Sequence, residues 1–511
     1  MARRIQRLLI ANRGEIALRV IRACRELGIA PIAVCSEADA GAPHVAAADE
    51  AHLLGPAPSR ESYLRIDRIL GVARKAKADA IHPGYGFLSE NPEFARACAC
   101  AGVRFVGPPA DAMRRLGNKI EGRKLARKAG VPVVPGIYRD VRETDEPRGL
   151  IREVGLPVCI KAAAGGGGKG MRVVREAADL PRALREARSE AASAFGDATV
   201  YLEHYLERPR HVEIQILADA KGNVVHLGER ECSIQRRHQK LIEETPSTAV
   251  DAYLRGQMGE AACRLARAAG YVNAGTVEFL VDARGRFFFL EVNARLQVEH
   301  PVTEMATGID LVREQIRIAE GAALTFRQED IRPRGAAIEC RICAEDGERG
   351  FLPSTGTIRG LRLPSGPFVR VDCGVEAGSE VSLHYDSLIA KVIAWGSHRE
   401  AAIRRMERAL RELAVVGIRT TQPLLLRILA DRRFRAGKIH TRFLEDEFLA
   451  RKTPPAWGPP EELAVVLAAA LEHQRKEQKA PRFLPPRSIS SWRRAVLDEY
   501  MGRSPKSVSG F

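Results

Sequence analysis

The stretch EVNARLQVE, residues 291–299, alternates polar and apolar side chains without a break. Such strict period-two alternation is typical of a β-strand with one buried face and one polar face. The polar face is unusual, because it combines carboxylates, amide groups and a guanidinium in place of the threonines and lysines of a solvated strand. Its members are Glu291, Asn293, Arg295, Gln297 and Glu299. The sequence therefore predicts a strand whose polar face carries chemistry.

The residues before this stretch predict a β-hairpin. GTVEFLVD and FFFLEVN form two strands around the short glycine-containing loop of residues 283–286. If Asp282 pairs with Phe287, Glu278 lies directly opposite Glu291, and two such carboxylates repel each other. A divalent cation relieves this repulsion, and oxygen ligands from both glutamates and Asn293 suit Mg²⁺, with phosphate oxygens completing its coordination. The alternative is an exposed hairpin edge whose charges face water, but the continued polar face favours the metal–phosphate site.

Length and composition are those of a multidomain enzyme. A chain of 511 residues accommodates roughly three or four domains. No apolar run approaches the roughly 20 residues that span a bilayer, and the basic N-terminus lacks the apolar length of a signal peptide. The cysteines are scattered through apolar segments, and the pair Cys340 and Cys343 has no second pair at zinc spacing. We therefore predict a cytoplasmic protein with reduced core thiols and no membrane partner.

The formal charge of +16 raises the alternative of a non-enzymatic nucleic-acid-binding or scaffold protein. However, lysines and arginines are spread over many amphipathic helices, and aromatic residues make up only 5% of the chain. No motif with stacking aromatic side chains is visible. A basic enzyme that binds ATP, or that docks on an acidic partner, explains the charge as well, so no nucleic-acid partner is predicted.

Strand and helix patterns predict an α/β fold in several parts. Residues 1–115 alternate strands and helices as a doubly wound domain, but the first turn lacks the G-x-G-x-x-G pattern of dinucleotide folds. A basic helical linker follows at 116–133, and a smaller α/β module with a mobile glycine-rich loop at 134–205. Hairpins, long strands and closing helices predict a mixed-sheet C-terminal domain at 206–450. A Pro-rich basic extension, 451–511, is a candidate for partner docking.

Further segments carry candidate ligand contacts. The consecutive glycines Gly165, Gly166, Gly167 and Gly168 allow backbone N–H groups to approach phosphate oxygens and the loop to close as a lid, although a plain flexible hairpin tip has the same composition. Lys161 and Lys119 are candidates for contacting the α- and β-phosphates.

A second hairpin turns at residues 221–223 and ends in a cationic cluster with Gln235, His238 and Lys240, which either orients a phosphate or forms a solvated face. Arg341 lies in the strand-like run AAIECRICAED. It contributes to a site only if it faces the same cleft, and a surface ion pair is the alternative.

Seven motifs, in their order and spacing, resemble the biotin carboxylase family of the ATP-grasp superfamily. They are IANRGEIALRVIRA, HPGYGFLSEN, IKAAAGGGGKGM, RHVEIQILAD, ERECSIQRRHQK, EVNARLQVEHPVTE and IECRI. The resemblance covers residues 3 to 450. It implies a three-domain ATP-grasp fold, with an N-terminal doubly wound domain, a mobile Gly-rich lid and a C-terminal domain.

The resemblance also implies roles for individual residues. The Mg²⁺ ligands would be Glu278, Glu291 and Asn293. The nucleotide contacts would be Lys119, Lys161, the glycines Gly165, Gly166, Gly167 and Gly168, Glu203, Leu206, His211, Gln235, His238 and Leu280. The pocket for bicarbonate and biotin would be formed by Tyr85, Lys240, Arg295, Gln297, Val298 and Arg341. Within it Glu299 would deprotonate bicarbonate, Lys240 and Arg295 would hold it, and Arg341 would stabilise the biotin enolate.

The implied reaction is the ATP- and Mg²⁺-dependent carboxylation of biotin by bicarbonate through carboxyphosphate. It would be the first half-reaction of an acetyl-CoA or other acyl-CoA carboxylase, with two Mg²⁺ ions, or Mn²⁺ in their place. No methionine is followed by lysine, so we expect the biotin on a separate carrier protein. The other expected partners are a second copy of the chain and a carboxyltransferase. The alternatives are a component of a pyruvate-type carboxylase and an ATP-grasp carboxylate–amine ligase.

Overall fold

The computed structural model describes residues 4–164 and 171–450, together with Leu467, Ala469 and Leu471. The chain separates into two units, Met1–Ala450 and Arg451–Phe511. The glycine run at 165–168 and nearly all of the predicted extension at 451–511 lie outside the described residues, and both remain predictions. None of the helices in the described part of the chain is long and apolar enough to span a bilayer.

The first sheet contains five parallel strands in the order β3-β2-β1-β4-β5. The strands are β1 Arg7–Ile10, β2 Ala30–Ser36, β3 Glu50–Gly55, β4 Ala80–His82 and β5 Arg104–Phe105. The helices of this part are α1 Gly14–Glu26, α2 Pro43–Ala47, α3 Ile66–Lys75, α4 Pro92–Cys100, α5 Ala110–Gly117 and α6 Lys119–Lys128.

The strand order confirms the doubly wound fold, since β2 and β4 lie on opposite sides of β1. Ligands of such folds bind outside the carboxyl ends of the strands at this switch point. The segments that follow β1 and β4 meet there, because Asn12 Nδ2 donates to the carbonyl oxygens of Pro83 and Tyr85 at 2.7 Å each.

The second sheet contains four strands in the order β6-β9-β7-β8. The strands are β6 Gly136–Ile137, β7 Val158–Ala162, β8 Arg172–Val174 and β9 Val200–His204. Its helices are α7 Pro147–Val154 and α8 Leu180–Phe195, whose leucines and alanines pack on the sheet. The undescribed glycine run lies between β7 and β8 in the sequence.

The third sheet contains eight strands in the order β14-β13-β10-β11-β12-β15-β22-β20. Its strands are β10 Arg210–Ala218, β11 Val224–Arg236, β12 Gln239–Thr245, β13 Asn273–Val281, β14 Phe287–Asn293, β15 Ala336–Cys343, β20 Val369–Cys373 and β22 Leu388–Gly396. All seven pairings are antiparallel, and one isolated parallel bridge joins Val133 to Phe289 at the edge. The predicted mixed sheet is therefore antiparallel except at this bridge.

Short strands and helices complete this region. The strands are β16 Glu345–Asp346, β17 Leu352–Pro353, β18 Gly356–Thr357, β19 Gly360–Arg362, β21 Glu380–Val381 and β23 Ala414–Val416. The helices are α9 Ala252–Ala269, α10 His300–Thr307, α11 Leu311–Ala319, α12 Arg399–Glu412, α13 Gln422–Ala430, α14 Arg432–Arg435 and a π-helical turn, Phe443–Phe448.

The predicted strand over residues 291–299 is too long, because β14 ends at Asn293. The next amide, Ala294 N, donates to Glu90 Oε1 at 2.9 Å and so leaves the sheet. The chain then turns until Glu299, which caps the N-terminus of α10 ahead of Pro301. The polar residues after Asn293 therefore come from a loop, although they still reach the same site.

The hairpin of β13 and β14 contains a bulge that sequence reasoning missed. Val281 pairs with Phe287, so the predicted pairing of Asp282 with Phe287 is wrong by one residue. A register shift after Phe289 then places Glu278 opposite Glu291, as predicted. The bulge has a physical reason: in an unbroken strand Phe289 and Glu291 would share one face. With it, Phe289 joins the hydrophobic core and Glu291 faces Glu278.

Candidate active site

Lys240, on β12, lies at the centre of a cluster of buried charges. Its Nζ donates to Glu299 Oε1 and Glu213 Oε2 at 2.6 Å each, and to Glu278 Oε1 at 3.0 Å. Burial opposes the charge on Lys240, but the surrounding acidic groups raise its pKa well above the ordinary value. One ammonium group therefore holds together carboxylates from β10, β13 and the start of α10.

Glu299 is bound from two sides. Lys240 occupies its Oε1, and Arg341 Nη2 donates to its Oε2 at 2.9 Å. Burial alone would raise the pKa of Glu299, yet Lys240 and Arg341 hold it well below the usual value. The side chain is fully buried and ionised at neutral pH, so it is an acceptor without a proton of its own.

Arg341 faces the site and is not a surface ion pair. Its Nε donates to Glu243 Oε1 at 2.6 Å while its Nη2 binds Glu299. Burial disfavours its charge, but Glu243, Glu299 and Glu339 raise its pKa well above the ordinary value. The guanidinium is thus clamped between two carboxylates.

Glu278 and Glu291 face each other across the β13–β14 hairpin, as the sequence predicts. Burial and then Glu278 raise the pKa of Glu291, with Lys119 opposing. Asn293 Nδ2 donates to Glu278 Oε1 at 2.8 Å. Two opposed buried carboxylates and an adjacent amide oxygen are hard oxygen donors, and the residues present therefore fit Mg²⁺.

His211 brings a different donor type to the same place, with Nε2 at 3.1 Å from Glu278 Oε2. Ligand atoms of His211, Glu213 and Glu278, one from each, also lie within 4.8 Å of one another. Burial would lower the pKa of His211, but Glu278 raises it above the ordinary value. A protonated imidazole repels cations, which favours the all-oxygen set of Glu278, Glu291 and Asn293 for a metal.

The loop after β14 directs Arg295 towards the site. Glu90 accepts from Arg295 Nε at 3.0 Å, and the same guanidinium donates to Gln297 Oε1 at 2.6 Å and Asn293 Oδ1 at 3.0 Å. Gln297 Nε2 in turn donates to Glu278 Oε1 at 3.2 Å. Arg295 and the candidate metal ligands therefore belong to one hydrogen-bond network.

The predicted nucleotide contacts divide into two groups. Lys161 and Arg123 both pair with Glu203, the latter at 3.2 Å, and Lys119 acts on Glu203 and Glu291 through its charge. Burial lowers the pKa of Lys119. The other group consists of side chains with surface accessible to a ligand. Among these, His238 is exposed, and Leu206 and Leu280 are half-buried. Gln235 is buried and pairs with Lys240 across β11 and β12.

A cavity of about 350 Å³ borders this charge cluster. Its lining includes five of the six predicted substrate residues: Tyr85, Lys240, Arg295, Val298 and Arg341. The sixth, Gln297, lies behind Arg295 and is buried. Other walls are formed by the segment after β1 and by Tyr385, Asp386 and Ser387, which precede β22.

Sequence reasoning missed several residues of the site. They are Glu15, Arg230, Glu213, Glu243 and Lys391. Glu213 bonds to Arg230 at 2.5 Å and lies on the alternating strand RHVEIQILA, where the same period-two test would have found it. Arg230 lies between two other charged residues in VVHLGERECSIQR, and Glu243 lies in the largely polar strand QKLIEET, so neither is singled out by that test. Lys391 is a charge inside the apolar strand LIAKVIAWG, but its partner Glu15 is distant in sequence.

Three family models match successive parts of the chain. They are the biotin carboxylase N-terminal domain at residues 4–113, the carbamoyl-phosphate synthase L chain ATP-binding domain at 118–327, and the biotin carboxylase C-terminal domain at 339–446.

Relatives share these regions at high identity. Biotin carboxylase 1 of Bacillus subtilis is 53% identical over 442 residues, covering 86% of this chain and 98% of that protein. A pyruvate carboxylase component of Methanothermobacter thermautotrophicus is 55% identical over 441 residues, covering 86% and 89%. Among solved structures, the biotin carboxylase domain dimer of Hydrogenobacter thermophilus 2-oxoglutarate carboxylase, in complex with MgADP, ADP and bicarbonate, has a TM-score of 0.84 and 47% identity, covering 87% of this chain and 98% of that one.

Proposed function

Because the chain belongs to the biotin carboxylase family and is an ATP-dependent carboxylase, we propose that it transfers bicarbonate carbon to biotin on a separate carrier protein. The observation that carries the proposal is the buried chain Lys240–Glu299–Arg341 at the cavity wall, next to the opposed pair Glu278 and Glu291. This arrangement supports a proposal in which Glu299 is the base, Lys240 binds the bicarbonate, and the pair Glu278 and Glu291 holds a metal ion next to them.

In this proposal bicarbonate binds between Lys240 and Arg295, with the amide of Gln297 behind it. A clamping guanidinium and an ammonium group suit this small anion. Glu299 removes its proton so that the resulting oxyanion attacks the γ-phosphoryl group of ATP. Lys240 and Arg341 overcome the effect of burial and lower the pKa of Glu299. When Lys240 also binds bicarbonate, its charge is shared with this anion, and the pKa of Glu299 rises towards that of an effective general base.

The metal role rests on Glu278, Glu291 and Asn293. Bound Mg²⁺ would neutralise charge on the transferring phosphoryl group. Glu278 already accepts hydrogen bonds from Lys240 and Asn293, so the network that holds bicarbonate also orients this carboxylate. Two Mg²⁺ ions, and Mn²⁺ as a substitute, remain expectations.

ATP lies, in this proposal, near Lys119 and Lys161, with the glycines 165–168 closing over its phosphates. Lys161 pairs with Glu203, so a nucleotide phosphate would compete with this carboxylate for the lysine. Closure would protect carboxyphosphate from water. Carboxyphosphate would then cleave to CO₂ and phosphate, and the phosphate would take the ureido proton of biotin. Arg341 would stabilise the resulting enolate, which accepts the CO₂.

The finer assignment concerns partners. We propose a cytoplasmic dimer that works with a biotin carrier and a carboxyltransferase as part of an acyl-CoA carboxylase, acetyl-CoA being one acceptor. Relatives carry different printed names, among them one of a pyruvate carboxylase component, and a pyruvate-type acceptor is therefore the second candidate. The extension at 451–511 is the proposed docking segment.

The test is ADP release by the purified protein with Mg²⁺-ATP, with bicarbonate and free biotin each present or omitted. We expect release that requires bicarbonate and rises with biotin. Release that ignores biotin and depends on an amine acceptor would instead support the carboxylate–amine ligase alternative.

A further inference from the structure

Glu243 on β12 and Glu339 on β15 face each other directly across the third sheet. Both are fully buried, at 0% exposure. Facing residues of an antiparallel pair have Cβ atoms about 5 Å apart, so the two carboxyl groups are within reach of each other. Two buried like charges at this separation are strongly unfavourable, and one proton between them removes the repulsion.

Of the four carboxyl oxygens of this pair, one accepts a hydrogen bond and the other three have no partner among the described residues. Glu243 Oε1 accepts from Arg341, whereas Glu243 Oε2 and both oxygens of Glu339 are buried without a hydrogen-bond partner. A buried carboxylate without donors is the costly form of the group. A neutral carboxylic acid carries a donor, and the free oxygen of Glu243 is an acceptor for it.

Lys391, the cation that most strongly opposes the raised pKa of Glu339, already has other hydrogen-bond partners. Lys391, on β22, donates to the carbonyl oxygen of Val298 at 2.8 Å and lies 3.1 Å from Glu15 Oε1. Glu15 also accepts from Tyr85. Lys391 therefore has a carboxylate partner of its own and does not supply the missing donor to Glu339.

We propose that Glu339 is a neutral carboxylic acid that donates its proton to Glu243 Oε2, and that this acid pair positions Arg341. Burial raises the pKa of Glu243 as well, but Arg341 opposes the rise; Glu243 therefore carries the negative charge of the pair and accepts from the guanidinium Nε. The hydrogen bond from Nε to Glu243 thereby fixes the orientation of the Arg341 guanidinium, while its Nη2 donates to Glu299. The role given to Arg341 rests on the proposed function, whereas the protonation of Glu339 does not.

The charges around Glu339 support this state. They come from Lys391 on β22, Glu243 on β12, Arg341 on β15 itself and Glu299 before α10. Burial and Glu15 raise the pKa of Tyr85, and Glu339 adds to this rise. Burial raises the pKa of Glu339 well above its usual value, and Glu243 adds to the rise while Lys391 opposes it.

The pair has a consequence for the reaction. When Glu299 takes up a proton, it no longer attracts Arg341 as an anion. Glu243 then remains as the only charged hydrogen-bond partner of Arg341 among the described residues. The guanidinium therefore keeps its position at the cavity wall while the charge of Glu299 changes.

Infrared spectroscopy of the folded protein tests the protonation without any activity measurement. The carbonyl stretch of a protonated carboxylic acid, distinct from that of a carboxylate and sensitive to D₂O, should lose one component in Glu339→Gln. The matched control is Glu229→Gln, because Arg255 binds both oxygens of buried Glu229, at 2.6 and 2.8 Å, and this substitution should leave the band unchanged. If Glu339→Gln does not fold, Glu243→Gln should shift the same component, since it replaces the acceptor.

Stability gives an independent readout with a defined sign. Above about pH 4.3 the unfolded chain has ionised Glu339 while the native protein keeps the proton. The unfolding equilibrium constant of the wild type, divided by that of Glu339→Gln, should therefore rise about tenfold per pH unit between about pH 5 and about pH 7. A flat or falling ratio, or an unchanged infrared band, overturns the proposal.

The positioning role is tested by turnover. Glu339→Ala removes the donor, and its biotin-dependent rate should be at least about tenfold below that of the wild type. Glu339→Gln retains a donor, and its rate should lie within about threefold of the wild-type rate. Bicarbonate-dependent ADP release without biotin should change less than the biotin-dependent rate. Equal loss in both variants would contradict the positioning role. A wild type without bicarbonate-dependent release would refute the proposed function and leave the infrared and stability results standing.

Discussion

At the scale of single residues, the chemistry of the cavity depends on what each charge binds before a substrate arrives. Lys240 is shared by three carboxylates, and Arg341 is shared by two. Each cation is thus held in place by anions that a bound anionic substrate would partly replace. Such prior organisation lowers the reorganisation needed during the reaction.

Glu299→Gln tests the base assignment. The amide keeps the size of the side chain but removes the proton acceptor, so bicarbonate-dependent ADP release should fall by about 10²-fold or more. ATP affinity should change little, because Glu299 is not among the proposed nucleotide contacts. The control is Glu314→Gln, which removes a buried carboxylate paired with Arg317 outside the cavity. Retained turnover in Glu299→Gln would refute the assignment.

Glu291→Gln tests the metal site in two directions. Without metal, it removes the repulsion from Glu278 and should raise the free energy of unfolding by about 1 kcal/mol. With metal, the loss of an oxygen ligand should raise the Mg²⁺ concentration for half-maximal activity about tenfold or more. Denaturant unfolding in EDTA and a Mg²⁺ titration of ADP release measure the two effects. An unchanged titration would argue against Glu291 as a ligand.

At the scale of elements, the third sheet brings together charges that lie far apart in the sequence. The hairpin pairing of Glu278 with Glu291 is predictable, because a short loop fixes the neighbouring strands. The end of β14 is not, because the acceptor that draws Ala294 away is Glu90, in another part of the fold. Period-two spacing likewise identifies candidate charges, but the partner of Glu339 depends on the order of strands β12 and β15, which the sequence does not reveal.

The charges of this sheet also predict acid sensitivity. Burial alone would raise the pKa of Glu278, but Lys240 and His211 lower it strongly. A carboxyl with a lowered folded pKa stabilises the protein above its unfolded pKa of about 4.3, and this contribution is lost as the pH falls towards the folded value. The wild type should therefore lose up to about 1.4 kcal/mol per pH unit relative to Glu278→Gln below about pH 4.3. Urea unfolding of both proteins measures this, and parallel pH curves would contradict it.

At the scale of the whole molecule, the cavity is completed by two sheets of the first unit. Glu15 follows the first strand of the parallel sheet, and Lys391 lies within the antiparallel sheet, yet their side chains meet. Arg19 of α1 similarly bridges to Glu304 of α10 at 2.9 Å. The doubly wound layer is therefore part of the site's wall, and its predicted fold class alone would not have shown this.

Deletion of residues 455–511 tests whether the extension is needed for partner docking and dispensable for catalysis. All described site residues lie before residue 450, and the matched family models end at residue 446. The truncated protein should keep bicarbonate- and biotin-dependent ADP release within about twofold, because it retains every described residue of the candidate site. Its co-purification with the carrier or the carboxyltransferase should be lost. Unchanged co-purification would refute the docking role of the extension.

The bulge in β14 determines which side chains of the strand face the core and which face the cleft. Up to Phe289 the odd-numbered side chains fill the core, and from Glu291 onwards they serve the cleft. Inserting or deleting one residue elsewhere in the strand would exchange inside and outside for everything on one side of the change. Residues 283–286 form only the loop of the hairpin, so a change of length there leaves the alternation of side chains along the strands unchanged. An insertion that lengthens this hairpin, or a probe attached near the candidate metal ligands, should therefore be made at that loop.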